Sequence, residues 1–175
     1  MTKRVTNQAA SVHQRLLNLA RTNGRPFNEL LQFYAIERFL YRLGQSQYRD
    51  RLVLKGALML LVWKTPMTRP TRDIDLLGRI SNDLESVRSV VADICRKVVE
   101  DDGLVFDPST VTTERIAEDA DYEGVRARFQ GHLGKARIAM QIDLGFSDVI
   151  TPAPVSISYP GDARTRQRGP HGLQS

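Results

Sequence analysis

Apolar side chains in the first 50 residues recur at three- and four-residue spacings, which is the pattern of amphipathic helices. Ser11-Val12-His13-Gln14 has the form of a capping box and predicts the start of a first helix. Its apolar face is formed by Leu16, Leu17, Leu19 and Ala20. Asn23-Gly24 ends this helix, and Pro26 introduces a second one over residues 28–43 with Gly44 as its C-terminal cap. Its aromatic residues, Tyr34 and Tyr41, are predicted to be core residues.

The next stretch predicts a strand, a sharp turn, a helix and a second strand. Leu52, Val53 and Leu54 have the side chains of a buried strand, and Gly56 permits a turn into a short helix over residues 57–63. A second strand begins at Asp73-Ile74-Asp75. Alternation along this strand places both carboxylates on one face and Ile74 and Leu76 on the other.

The remainder of the chain predicts one more helix and then antiparallel strands. The helix begins at Ser81 or Asn82 and reaches about Val99, with apolar positions at Leu84, Val87, Val90, Val91, Ile94 and Val98. The acidic run Glu100-Asp101-Asp102 is interpreted as a solvated turn.

Three strands follow, at residues 111–116, 125–129 and 136–146, with Gly131 and Gly134 bracketing the turn before the last one. This order of elements predicts an α+β fold: a small mixed or antiparallel sheet with the helices packed on one face.

Composition limits the choice of function without deciding it. The 175 residues suffice for one domain with a core, and 41% hydrophobic and 26% charged residues are ordinary values. A net charge of +5, from 25 basic and 20 acidic residues, is compatible with a nucleic-acid partner. A helix-turn-helix DNA binder would use this charge and the first two helices, but it would leave the acidic residues unexplained.

Cysteine usage and hydropathy indicate where the protein works. Cys95 is a single cysteine in an apolar helical run, so we expect a buried structural thiol in a reducing compartment. The longest apolar run is too short to span a membrane. We therefore expect a soluble, cytoplasmic protein without membrane contact. His13 has no second ligand at metal-site spacing and is expected to be an exposed helix residue.

The candidate chemistry lies in three carboxylates. Asp73 and Asp75 would repel each other without a cation between them, and hard oxygen ligands suit Mg²⁺. Asp143 lies between two apolar residues and must be paired or metal-bound, because an unpaired buried charge is costly. If its strand lies beside that of Asp73, all three carboxylates share one face. Two-metal phosphoryl transfer needs such an arrangement.

Phosphate-binding features lie between the two strands. A helix N-terminus after Gly56 offers free N–H groups and a positive dipole end. Arg69 and Arg72 could meet phosphate charge, although a solvated basic loop explains them about as well. An isolated Asp-x-Asp or glycine turn is also common without any function. The order and spacing of these features favour a functional interpretation.

The block LVLKGALMLLVW…RPTRDIDLLG resembles the nucleotidyltransferase AbiEii/AbiGii toxin family, a branch of the polymerase-beta-like nucleotidyltransferases. The resemblance continues through DGLVFDPSTV, EDADYEGVRARF, GKARIAMQIDLGFSD and ITPAP…YP, so that it covers roughly residues 50–160. It implies a nucleotidyltransferase that adds a nucleoside monophosphate from an NTP to an RNA acceptor, for example the 3′ end of tRNA. Mg²⁺ would be its cofactor, and a neighbouring antitoxin would restrain it.

The resemblance also implies residue roles. Asp73 and Asp75 would hold the metal ions, and Asp143 would be the third acid, which also binds metal and activates the acceptor hydroxyl. Gly56 would contact the triphosphate, and Lys55 would either contact phosphate or stay exposed. Arg69 and Arg72 would contact phosphates of the NTP or of the RNA.

The sequence departs from the family pattern in two places. Ala57-Leu58 follows Gly56 where many relatives have a small residue and a hydroxyl-bearing one, so phosphate binding would depend on backbone N–H groups. The family's helical C-terminal half, with a Glu-Lys pair and a later Lys-Asp-Phe-Tyr-Asp-type motif, is not found after Tyr159-Pro160. We therefore expect one nucleotidyltransferase-like domain over residues 1–160 and a disordered, out-of-frame or truncated tail over residues 161–175. An inactive remnant that still binds nucleotide is the alternative to an active enzyme.

Overall fold

A computed structural model describes residues 7–55, 73–119 and 122–146. Their elements are α1 (Gln8–Asn23), α2 (Phe27–Gly44), β1 (Leu52–Lys55), β2 (Asp73–Gly78), α3 (Leu84–Arg96), β3 (Leu104–Asp119), β4 (Tyr122–Leu133) and β5 (Ala136–Phe146). The strands form one sheet in the order β1-β2-β5-β4-β3. β2 and β5 run parallel, and the other neighbouring strands are antiparallel. The predicted α+β fold with a mixed sheet is confirmed.

The helices pack on one face of the sheet, hereafter the helix-covered face. Phe39 of α2 meets Phe106 of β3 and Phe129 of β4, with ring centroids 5.7 Å and 5.1 Å away. Gln32 of α2 also donates a hydrogen bond to the backbone oxygen of Ala139 on β5, at 3.1 Å. The predicted core positions Ile138, Met140, Ile142 and Leu144 are buried. No described helix packs on the opposite face, hereafter the polar face.

The predicted starts of two helices are wrong by a few residues. α1 begins at Gln8, because the side chain of Asn7 accepts a hydrogen bond from the Ala10 N–H at 2.9 Å and caps the helix. α3 is capped by Asp83, which accepts a hydrogen bond from the Ser86 N–H at 2.8 Å. Both helix starts have several polar residues that are able to cap, so the sequence alone does not fix the first residue of the helix.

The predicted ends of α2 and α3 are also shifted. Gly44 belongs to α2, and Gln45 is its C-cap. α3 ends at Arg96, so Val98 lies beyond the helix and is 89% exposed rather than in the core. Cys95 is buried as predicted, and burial raises the pKa of its thiol to about 12.

The hairpin before β5 turns later than predicted. β4 continues through Gly131 to Leu133, and the turn consists of Gly134 and Lys135. Gly134 has φ 59°, a left-handed conformation that favours glycine in tight turns. Gly131 has a different role: a Cβ there would lie 2.9 Å from the Phe106 ring, so the glycine makes room for that ring. β3 and β4 are likewise longer than predicted.

The acidic run before β3 is not simply a solvated turn. Asp102 is only 8% exposed and forms ion pairs with two buried arginines of α2. Arg38 Nε and Arg42 Nη1 each lie 2.7 Å from its Oδ2, and Tyr34 Oη donates to its backbone oxygen at 2.6 Å. Tyr34 is a core residue, as expected.

Two further residues have partners that sequence reasoning did not assign. Tyr41 is half-buried rather than a core residue as predicted, and the Arg38 guanidinium lies 4.4 Å from its ring centroid. His13 is half-buried rather than exposed, and its ring lies 4.6 Å from that of Phe27. Because one long side of α2 is buried, with both of its arginines, it does not have the exposed surface of a DNA-recognition helix.

Several predictions lie outside the described residues. These are the turn at Gly56, the helix over residues 57–63, the arginines Arg69 and Arg72, and the tail over residues 161–175.

Candidate active site on the polar face of the sheet

β2 carries two of the predicted carboxylates. Buried and half-buried side chains alternate along this strand, with Ile74 and Leu76 on the helix-covered face. Asp73 and Asp75 are half-buried and lie on the polar face. The predicted alternation is confirmed.

β5 brings the third carboxylate beside them. β5 runs parallel to β2, and in the register of this pair Asp75 is the partner of Asp143 and Asp73 is the partner of Gln141. Neighbouring strands are about 4.8 Å apart, and side chains of paired residues leave the sheet on the same side. The condition set by the sequence, that the Asp143 strand lies next to the Asp73 strand, is therefore met.

Two of these carboxylates, those of Asp75 and Asp143, belong to a row of charged side chains that crosses all five strands. The pairings of neighbouring strands join the members of this row one after another. In spatial order the cross-strand row is Lys55, Asp75, Asp143, Arg126 and Glu114. Its centre is thus an aspartate pair with a cationic residue on either side.

Arg126 of β4 binds Asp143 through two hydrogen bonds. Its Nε lies 2.8 Å from Oδ1 and its Nη2 lies 3.0 Å from Oδ2. The two side chains are 29% and 13% exposed, so that solvent screens this pair less than a fully exposed one. The hydrogen bond with Asp143 raises the pKa of Arg126, and the charges of Asp143, Asp73 and Glu114 act in the same direction. The expectation that Asp143 is paired is confirmed.

A second arginine of β4 lies two residues further along the same face. Arg128 donates to Glu114 Oε1 at 2.7 Å and to Gln141 Oε1 at 3.1 Å. Arg128 and Glu114 are about half exposed, at 52% and 51%. Arg128 therefore has the strand, face and charge of Arg126. Its described hydrogen bonds, however, do not include Asp73, Asp75 or Asp143.

The donor atoms fit a hard divalent cation. Among the described residues, no group of three His, Cys, Asp or Glu side chains could hold a metal ion by itself. Mg²⁺ is rarely held in an all-protein cage, however. It is usually bound by one or two carboxylates together with water and substrate phosphates. Asp75 with its partner Asp143, and Asp73 on the same face, supply carboxylates of this kind.

Sequence reasoning missed Arg126, although a signal for it exists. Apolar and basic residues alternate along residues 125–129, which places both arginines on one face but assigns a partner to neither. A two-residue turn at Gly134-Lys135 fixes the register of the hairpin and makes Arg126 the partner of Asp143. Placing the turn between Gly131 and Gly134 shifts this register and hides the pair.

The fold is consistent with that of a nucleotidyl transferase: it has a mixed sheet with an Asp-x-Asp strand and a further aspartate on the adjacent parallel strand. The family model described as "Nucleotidyl transferase AbiEii toxin, Type IV TA system" matches residues 38–171. The chain belongs to this family, as its sequence motifs suggested. The family implies a nucleotide substrate and an antitoxin partner.

The other comparisons add nothing to this assignment. Neither the curated proteins nor the solved structures contain a match to the chain. In the ranges that the structure covers, no helix is long and apolar enough to cross a membrane.

Proposed function

We propose that this chain transfers a nucleoside monophosphate from an NTP to an RNA acceptor, with the 3′ end of tRNA as that acceptor, in a Mg²⁺-dependent reaction. The observation that carries the proposal is the parallel pairing of β2 with β5, which brings Asp143 into register with Asp75. Membership of a nucleotidyl transferase toxin family supports the reaction class. The reaction would take place in the cytoplasm, where NTPs and tRNA are available.

The reaction is an in-line displacement at the α-phosphorus of the NTP. The acceptor hydroxyl oxygen forms a bond to phosphorus, and the bond between the α-phosphorus and the bridging oxygen breaks. Pyrophosphate leaves with that electron pair, and the hydroxyl proton passes to a base. Mg²⁺, held by Asp73, Asp75 and Asp143, would lower the pKa of the hydroxyl and neutralise charge on the phosphates.

The roles proposed for these residues come from the family resemblance, and their positions in the sheet support them. Asp73 and Asp75 would bind the cation from β2. Asp143, on the neighbouring strand, would bind it as well and accept the acceptor's proton. Lys55 is the partner of Asp75 on the other side and lies at the end of the strand before Gly56, where it would meet phosphate. Gly56, Arg69 and Arg72 would contribute further phosphate contacts.

The test is the transfer of label from α-³²P NTPs to total tRNA with Mg²⁺. We expect the wild-type chain to label tRNA and the double variant Asp73→Asn, Asp75→Asn to give only background label. Asp50→Asn is the control, because its side chain is 57% exposed and lies in the turn before β1. Acceptor RNA that ends in a 3′-deoxynucleotide should take no label.

Two results would contradict the proposal. Label that persists in the double variant would show that these carboxylates are not needed. Absence of label with every NTP and with wild-type protein, together with retained nucleotide binding, would favour a nucleotide-binding module without transferase activity.

A further inference from the structure

Arg126 is the nearest described cation to the carboxylate that the proposed reaction needs on β5. Its guanidinium occupies one lone-pair position on each oxygen of Asp143, through Nε to Oδ1 and Nη2 to Oδ2. A carboxylate offers about four such positions. Among the described contacts, one position per oxygen is not occupied by Arg126, and Asp143 has β4 on one side and β2, with Asp75, on the other.

The planar fork of the Arg126 guanidinium restricts the orientation of the Asp143 carboxylate as well as balancing its charge. A single cation such as a lysine ammonium would satisfy the charge of Asp143 but would let the carboxylate rotate about its Cβ–Cγ bond. Two parallel hydrogen bonds hold the plane of the carboxylate in one orientation. Groups that orient a metal-binding side chain from its outer side commonly affect metal affinity or activity by about 10- to 100-fold.

We propose that Arg126 is a positioning residue, which holds the plane of the Asp143 carboxylate so that an oxygen on its β2 side receives the divalent cation beside Asp75. This inference rests on the proposed function for the identity of the site. It goes further in assigning a role to a residue of β4 and in making the fork geometry the essential property. Arg126 touches neither substrate nor cation in this role and acts only through Asp143.

The experiment measures Mn²⁺ binding by electron paramagnetic resonance, with no nucleotide or RNA present. Arg126→Lys keeps the charge and removes the fork, so we expect its Mn²⁺ affinity to fall by about 10- to 100-fold. Asp143→Asn should lower the affinity at least as much. Arg128→Lys is the matched control, being the same change on the same face of β4, and should alter the affinity less than about twofold because its ion pair is half exposed.

Chemical rescue distinguishes the effect of the two-hydrogen-bond geometry of guanidinium from the effect of its positive charge. It also tests the inference if Arg126→Lys folds poorly. Methylguanidinium added to Arg126→Ala should restore Mn²⁺ affinity, whereas methylammonium at the same concentration should not. Far-UV circular dichroism and thermal melts of each variant verify that the fold is retained.

The outcomes distinguish this inference from the proposed function. Equal affinities of Arg126→Lys and Arg128→Lys, an unchanged affinity of Asp143→Asn, or no Mn²⁺ binding by the wild type would each overturn the role of Arg126. Absence of NMP transfer together with Arg126-dependent Mn²⁺ binding would contradict only the proposed function. Transfer that is insensitive to Arg126→Lys, with unaltered Mn²⁺ affinity, would contradict only the inference.

Discussion

Asp102 shows how one residue can stabilise the junction between a helix and a strand. It lies just before β3 and forms ion pairs with Arg38 and Arg42 of α2, all three residues being buried. Its Oδ1 also accepts a hydrogen bond from the Leu104 N–H at 3.1 Å. Burial by itself would raise the pKa of the Asp102 carboxyl, but hydrogen bonds and charge from Arg42 and then Arg38 outweigh it and lower the pKa.

Asp102→Asn should destabilise the protein strongly. The substitution leaves two buried guanidinium groups with no carboxylate in this cluster, and breaking a buried ion pair typically costs about 3–5 kcal/mol. Urea unfolding of the variant and the wild type measures this difference. Asp101→Asn is the control, because Asp101 is exposed, and it should cost much less. Equal stability of the Asp102 variant and the wild type would show that the arginines find other partners.

The same ion pairs make stability depend on pH. The pKa of Asp102 is lower in the folded protein than its ordinary value of 3.8. Its contribution is therefore fully present above about pH 4 and is lost as the pH falls through the folded-state pKa. The stability difference between the wild type and Asp102→Asn should shrink when urea unfolding is repeated at decreasing pH below about 4. A difference that stays constant down to pH 2 would contradict this assignment.

At the scale of elements, two tight turns depend on glycine for its left-handed backbone conformation, and one of them depends on it for a second reason as well. Gly24 ends α1 with φ 63°, and Gly103 precedes β3 with φ 81°. A Cβ at Gly24 would have nothing within 4 Å, whereas one at Gly103 would lie 2.9 Å from Cα of Ala9 in α1. Gly103 thus serves both the backbone turn and the close approach of α1 to the sheet.

Alanine substitutions separate these two contributions. Gly24→Ala should cost only the left-handed conformation, about 1–2 kcal/mol. Gly103→Ala adds a backbone clash and should cost about 1–3 kcal/mol more. Thermal or urea unfolding of both variants gives the comparison. If the two variants lose the same stability, α1 moves away from this turn at no cost.

At the scale of the whole molecule, the sheet divides the described part of the chain into an apolar and a charged side. The helices cover one face, and the cross-strand row lies on the other. The full sequence has a net charge of +5. An acidic centre within a basic molecule is the distribution expected if cations bind at the centre and a polyanion binds around it.

The proposed RNA acceptor should therefore bind in a salt-dependent manner. Each phosphate contact releases counterions, so even two contacts would weaken binding by about tenfold between about 50 and 200 mM salt. Fluorescence anisotropy of labelled tRNA, titrated with the chain at both salt concentrations, measures this change. The same oligomer state at both concentrations has to be verified. Affinity that does not vary with salt would argue against an acceptor held by its phosphates.

The sequence by itself determined the class of fold and the candidate carboxylates. Alternation along β2 depends only on neighbouring residues, and it placed Asp73 and Asp75 on one face correctly. Apolar periodicity likewise indicated α2, α3 and β5, because amphipathic elements are determined by local spacing. The family motifs, matched over residues 38–171, indicated the reaction class.

Only the tertiary structure decided the partners of the charged residues. Asp102 and Arg42 are 60 residues apart in the chain, and their pairing follows from the packing of α2 against β3. Asp75 meets Asp143 through the register of a parallel pair, and Arg126 meets Asp143 through a turn at Gly134-Lys135 rather than between Gly131 and Gly134. A one-residue shift in register moves every side chain to the other face, and local sequence patterns leave that shift undetermined. The carboxylates could therefore be named from the sequence, whereas the arginine that orients one of them required the sheet.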